Sequence, residues 1–141
     1  MSIEFKLSAR IKRPPETVFA IATDLPKMGQ WAGKAIHNIS PGPVVVGSSF
    51  TLINEFMGAD QKTNYRVTIC EPGRRFAYQG SGIGSNLVDM NFSPDPLGTQ
   101  VTTMISLQLK GLVATVAKGT VRDMAQNSLV RFVKLCESTK A

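Results

Sequence analysis

From Leu112 to Cys136 the apolar residues recur with a period near 3.6 instead of 2. Leu112, Val113, Val116, Val121, Met124, Leu129, Phe132, Val133 and Cys136 trace one stripe, and Lys118, Arg122, Asp123, Arg131 and Lys134 fall on the other side. The pattern specifies a long amphipathic helix of about 25 residues. Propensity alone stabilises such a helix poorly, so its stripe must be covered. Nearly everything before it reads as strand and turn, which leaves a sheet as the only cover. Gly111 and Gly119 each weaken the helix start by about 1 kcal/mol relative to alanine, so that part is expected to bend or loop.

The first strand is equally legible. From Ile3 to Ile11 the odd positions are Ile3, Phe5, Leu7, Ala9 and Ile11, and the even ones are Glu4, Lys6, Ser8, Arg10 and Lys12, which gives one dry and one wet face. Pro14 and Pro15 end it and open a helix, because neither donates to a ladder and their fixed φ suits a first turn. Glu16 sits where a helix N-terminus favours negative charge. Val18, Phe19, Ala22 and Leu25 continue at helical spacing until Asp24 to Pro26 closes it. A short turn follows from Lys27 to Trp31. Strands are then expected near 35–40, 48–57, 62–71, 75–80, 86–93 and 99–109, separated by PGPVVVG, MGADQ, EPGR, GSGIGS and SPDPLG. Such short links imply an antiparallel meander. Inward faces are expected from Phe50, Leu52 and Phe56, from Tyr65, Val67 and Ile69, from Phe76 and Tyr78, from Val88, Met90 and Phe92, and from Val101, Ile105 and Leu107.

Length and composition exclude several classes. The 141 residues suit one domain over 1–141. No apolar run approaches the roughly 20 residues of a membrane span, and the start MSIEFKLSARIK lacks a signal-peptide core, so a cytoplasmic protein without integral membrane association is expected. Cys70 and Cys136 lack metal-site spacing. The net charge of +6 comes from sixteen Lys and Arg scattered along the chain, without interleaved aromatics, so no nucleic-acid partner is expected. The inventory holds one histidine, His37, and no HExxH, GxSxG or paired metal-ligand motif. No metal and no cofactor are therefore expected. GSGIGSN superficially suggests a phosphate loop, but NLVDMNF after it reads as a strand and not a helix, so a hairpin turn or mouth loop is expected.

The succession of strand, two short helices, six strands and a long helix resembles the START-like or SRPBCC superfamily. The residues that carry the likeness are Ile11, Pro14, Pro15, Glu16, Val18 and Phe19; Asp24, Leu25, Pro26 and Trp31; Val46, Gly47 and Phe50; YRVTICEPGRRFAYQG from Tyr65 to Gly80; and Gly98, Thr99, Val101 and Thr102. The superfamily includes polyketide cyclases, coenzyme Q-binding proteins and plant pathogenesis-related proteins. The resemblance implies the α+β helix-grip fold: a seven-stranded antiparallel curved sheet wrapped around the C-terminal helix, with two short helices between strands 1 and 2. It also implies an elongated cavity between sheet and helix, and a hydrophobic small molecule or lipid within it.

Placed on that fold, the cavity lining is expected from Trp31, Phe50, Asn54, Phe56, Tyr65, Tyr78, Met90 and Thr103, and from Met124, Ser128 and Phe132, which stand one helical turn apart. Asn54 and Thr103 are polar positions on otherwise apolar inward alternations and need partners if buried. His37 is a possible polar rim residue. Three functions stay open. One is a binding protein, monomeric or homodimeric. Another is a cyclase or dehydratase in which His37, Asn54, Tyr65 and Tyr78 converge on an enolisable substrate. The third is an interaction protein acting through an outer basic surface that includes Arg122 and Arg131; GSGIGSN also looks like actinobacterial members described as toxins of toxin–antitoxin pairs.

Overall fold

Alternating side chains, short turns and one long apolar stripe assemble as a sheet gripping a helix. The computed structural model describes residues 2–56, 58–82, 84–108 and 112–138, and for residues 2, 56 and 112–118 the backbone alone. Strand β1 spans Ser2–Ile11, helix α1 Pro15–Ala22, a 3₁₀ turn Leu25–Lys27 and helix α2 Met28–Trp31. Strands β2 (Ala35–His37), β3 (Ser49–Phe56), β4 (Ala59–Glu71), β5 (Arg75–Ser81), β6 (Ser85–Asp95) and β7 (Gly98–Gln108) follow, and helix α3 spans Leu112–Ser138. The seven strands form one antiparallel curved sheet in the order β1-β7-β6-β5-β4-β3-β2. Among the described residues no helix is long and apolar enough to cross a membrane.

The polar and apolar alternation of β1 is expressed directly: Ile3, Leu7 and Ile11 are buried, and Glu4, Lys6, Ser8 and Arg10 are exposed. Pro14 stands extended before α1, Glu16 lies in its first turn, and the helix buries Val18, Ile21 and Ala22. GSGIGS turns as a hairpin, with Ser81 paired to Ser85.

Three expectations need correction. MGADQ is not all loop, because β4 already pairs at Ala59 and faces Asn54 with Gln61. The inward run Tyr65, Val67, Ile69 is broken: the β4–β5 register shifts between Val67 and Ile69, so Val67 opposes Tyr78 whereas Cys70, and not Ile69, opposes Phe76. One extra residue in a strand inverts every later side chain, and Cys70 accordingly packs against the core. The helix start is not a loop, since α3 is helical from Leu112 through Gly119.

Apolar burial divides into two clusters. The larger gathers Ile11, Val18, Ile21, Leu25, Met28 and Trp31 with the inner faces of β3 to β7 and with Phe132 and Cys136 of α3. The smaller surrounds Ile3, with Phe5, Leu107, Val121 and Met124. The C-terminal part of α3 is also tied by polar contacts. The Lys12 N–H donates to Glu137 Oε2 at 3.1 Å, and Arg13 Nε donates to the Cys136 carbonyl at 3.2 Å. The last carbonyls of a helix lack intrahelical donors and carry partial negative charge, so an arginine there is doubly suited.

Two outcomes follow for stability. Among the described residues a methyl group at Gly119 meets no atom within 4 Å beyond its own helix backbone, so Gly119→Ala is expected to raise stability by about 1 kcal/mol in chemical denaturation. Burial first, and the neighbouring Glu137 second, push the Cys136 thiol up from 9.0 to about 12. A thiol bound more tightly to its proton when folded stabilises the fold fully below pH 9 and loses that contribution as pH rises towards 12. Between these limits the wild-type melting temperature should fall more steeply than that of Cys136→Ala; parallel curves would refute the assignment.

Candidate functional site

Between the two apolar clusters the sheet and α3 do not meet. The gap is a cavity of about 170 Å³. Its roof is Val121, Met124, Ala125, Ser128 and Leu129 on α3, and its end wall is Trp31 and Ala32. The floor comes from Leu7 of β1, Leu52 and Asn54 of β3, and Gln61, Thr63 and Tyr65 of β4. Tyr78 of β5, then Asn86, Val88 and Met90 of β6, then Thr103, Ile105 and Leu107 of β7 complete it.

Sheet register grades this floor in polarity. Asn54 opposes Gln61 close to the β3–β4 turn, and Asn86 lies close to the β5–β6 turn. With Thr63 and Tyr65 they make one end polar. Deeper in, Met90, Thr103 and Leu7 share one cross-strand row, and Val88 stands beside Ile105 in the next. Among the described residues the wall carries no carboxylate, ammonium, guanidinium or imidazole.

Gly80 positions the polar end. It stands between Tyr65 and Asn86 in one row, and a Cβ there would collide with the Asn64 carbonyl oxygen and lie 2.7 Å from Tyr65 Cδ1. Without a side chain at Gly80, the Tyr65 ring lies across β5 and its hydroxyl accepts from Asn86 Nδ2 at 3.5 Å. Burial pushes the Tyr65 hydroxyl above its ordinary value of 10, with hydrogen bonds to Asn86 and Thr63 opposing. Burial also drives Tyr78 upward, with the nearby Tyr65 adding to the effect. Both are therefore neutral hydrogen-bonding groups near pH 7.

Two lining groups have no partner among the described residues. Trp31 is 5% exposed and Thr103 7%, and neither Trp31 Nε1 nor Thr103 Oγ1 has a hydrogen-bond partner there. The Trp31 ring packs on Phe132 at a centroid distance of 4.6 Å. Its carbonyl accepts from Arg131 Nε at 3.3 Å, and Arg131 Nη2 donates to Ser128 Oγ at 3.2 Å. Arg131 thus clasps α2 to α3 beside the cavity and is not purely an outer-surface charge.

Of the residues expected to line the cavity, Trp31, Asn54, Tyr65, Tyr78, Met90, Thr103, Met124 and Ser128 do so. Phe50 stands behind the wall instead, 2% exposed and 5.4 Å from the rings of both Tyr65 and Tyr78. Phe132 stands behind Trp31, fully buried. The Phe56 side chain lies outside the described residues. His37 is exposed on β2, opposite Thr51, and does not line the cavity, so it does not converge with Asn54, Tyr65 and Tyr78. Gln61, Thr63 and Asn86 were not anticipated. Asn86 shares the alternation of Val88, Met90 and Phe92, which is a usable signal, whereas the turn-like composition of MGADQ conceals Gln61.

Solved structures repeat the architecture at low identity. Protein CV1439 from Chromobacterium violaceum superposes with a TM-score of 0.76 at 16% identity, covering 97% of this chain and 99% of its own. Ara h 8.0201 gives 0.75 at 13% identity, over 99% of this chain and 100% of its own. DynU16, a putative protein in the dynemicin biosynthetic locus, gives 0.70 at 17% identity over 97% of this chain and 47% of its own. No curated protein matches the sequence significantly. Residues 2–137 match the family described as polyketide cyclase / dehydrase and lipid transport, and with its helix-grip sheet and covering helix the chain belongs to that family.

Proposed function

We propose that this protein binds a hydrophobic small molecule or lipid between its sheet and α3. The observation that carries the proposal is the cavity separating the two apolar clusters, walled mainly by aliphatic, methionine and aromatic side chains. Side chains bordering an apolar cavity gain dispersion contacts from an apolar occupant that fits it. Methionines such as Met90 and Met124 adapt to irregular shapes, which suits a wall that must close on a guest.

Binding without catalysis accounts for the wall better than a cyclase or dehydratase does. Enolisation needs a group that exchanges a proton near neutral pH. Tyr65 and Tyr78 are driven away from that range by burial, and His37 stands elsewhere.

The direct test is binding of a neutral fluorescent apolar probe such as 1-aminoanthracene. The wild type should bind it and release it to competing hydrophobic molecules. Ala125→Phe, which extends a ring from α3 into the cavity, should weaken binding roughly tenfold or more at an unchanged or higher melting temperature, as expected where a cavity is filled. Undiminished binding to this variant would place the guest elsewhere. Gly80→Ala should lower the melting temperature and weaken probe binding together, because the displaced Tyr65 ring takes up cavity space; an unchanged affinity would show that the polar end is not part of the site.

A further inference from the structure

Two amides on one side of the cavity floor are within reach of a guest. Trp31 Nε1 and Thr103 Oγ1 are sealed inside the wall. Asn54 and Gln61 are not: both line the cavity, both are only half-buried, and they stand opposite one another on β3 and β4, so their side chains project from the same face of the sheet. Among the described residues no hydrogen bond joins either side-chain amide to another group. Each amide presents an acceptor oxygen and a donor NH₂ group. The strand order puts β6, β7 and β1 on the far side of the floor, where the lining includes Val88, Met90, Ile105 and Leu7. A hydroxyl taken from water to that side would meet hydrocarbon and lose its hydrogen bonds, which is unfavourable. Beside Asn54 and Gln61 the same hydroxyl can donate to one amide and accept from the other. An ether or ketone oxygen can only accept and leaves the amide oxygens unanswered.

We infer that the guest is an apolar alcohol or phenol, bound in one direction: its hydroxyl between Asn54 and Gln61, its apolar body over β6, β7 and β1. This rests on the binding function proposed above and adds the class of guest and its orientation. Asn54 and Gln61 are then the residues that distinguish a hydroxylated guest from a hydrocarbon of the same shape.

Three probes of similar shape test this by displacing 1-aminoanthracene from the full chain at neutral pH: naphthalene, 2-methoxynaphthalene, which only accepts a hydrogen bond, and 2-naphthol, which donates and accepts. The wild type is expected to bind 2-naphthol roughly tenfold more tightly than naphthalene, the scale of one net hydrogen bond, with 2-methoxynaphthalene between them. In Asn54→Leu and Gln61→Met, singly and combined, the advantage of 2-naphthol should shrink towards unity while naphthalene keeps its affinity. Equal wild-type affinity for naphthalene and 2-naphthol would overturn the hydroxylated guest and leave the cavity function standing. Binding of 2-methoxynaphthalene as tight as that of 2-naphthol would overturn the need for a group that both donates and accepts. An undiminished advantage of 2-naphthol in the variants would overturn its placement at Asn54 and Gln61. Failure of 1-aminoanthracene and of all three probes to bind would overturn the cavity function itself. The wild-type comparison decides the class of guest whatever the variants do, and the single variants, each close in volume to the residue replaced, decide the placement if the double variant folds poorly.

Discussion

The structure depends on how α3 is held. Its C-terminal part is buried through Phe132 and Cys136 and fastened to the end of β1 through Lys12 and Arg13, while Val121 and Met124 rest on a separate apolar group around Ile3. A helix fixed in two places cannot settle onto the sheet between them unless the intervening side chains are long enough to meet. Among the residues that α3 contributes to the cavity are Ala125 and Ser128, which are short. The cavity is thus a consequence of small residues on a rigid span.

That geometry explains why the protein can combine a firm core with an adaptable one. The aromatic group of Phe50, Tyr65, Phe76 and Tyr78 is mutually packed at centroid distances of 4.9 to 5.4 Å. It forms a fixed wall. Met124 and Leu129 of α3, across the cavity, have unfused chains with more rotatable bonds than these rings. The polar side chains of the wall are few and stand mainly at one end, where Asn54, Gln61, Thr63 and Asn86 lie.

Much of this was legible in the residues themselves. Alternation in β1, β6 and β7 and the 3.6 period of α3 survive into the structure because each element has one covered face, and coverage is what periodicity encodes. Asn54 and Thr103 stood out as polar interruptions of apolar alternations, and both line the cavity. What could not be read was whatever depends on neighbours distant in sequence. The inversion after Val67 requires knowledge of the partner strand. Phe50 and Phe132 have the same inward direction as true lining residues but lie behind Tyr65 and Trp31, and depth is invisible to periodicity. Closeness to Trp31 in sequence suggests a rim position for His37, yet His37 is exposed on the three-residue strand it joins.

The pairing of β1 with β7 has a consequence for how the protein comes into being. Among the described residues β1 pairs with β7 alone, so during synthesis Ile3, Leu7 and Ile11 have no ladder to join until nearly the whole chain has emerged. The meander from β3 to β7 can pair locally as it is made, whereas closure by β1 and capping by α3 come last. Contacts between such distant segments slow folding and lengthen the time that apolar strand surface stays uncovered. A guest that bridges sheet and helix would add stability only after that final closure, so it would act on the finished protein and could not guide its early assembly.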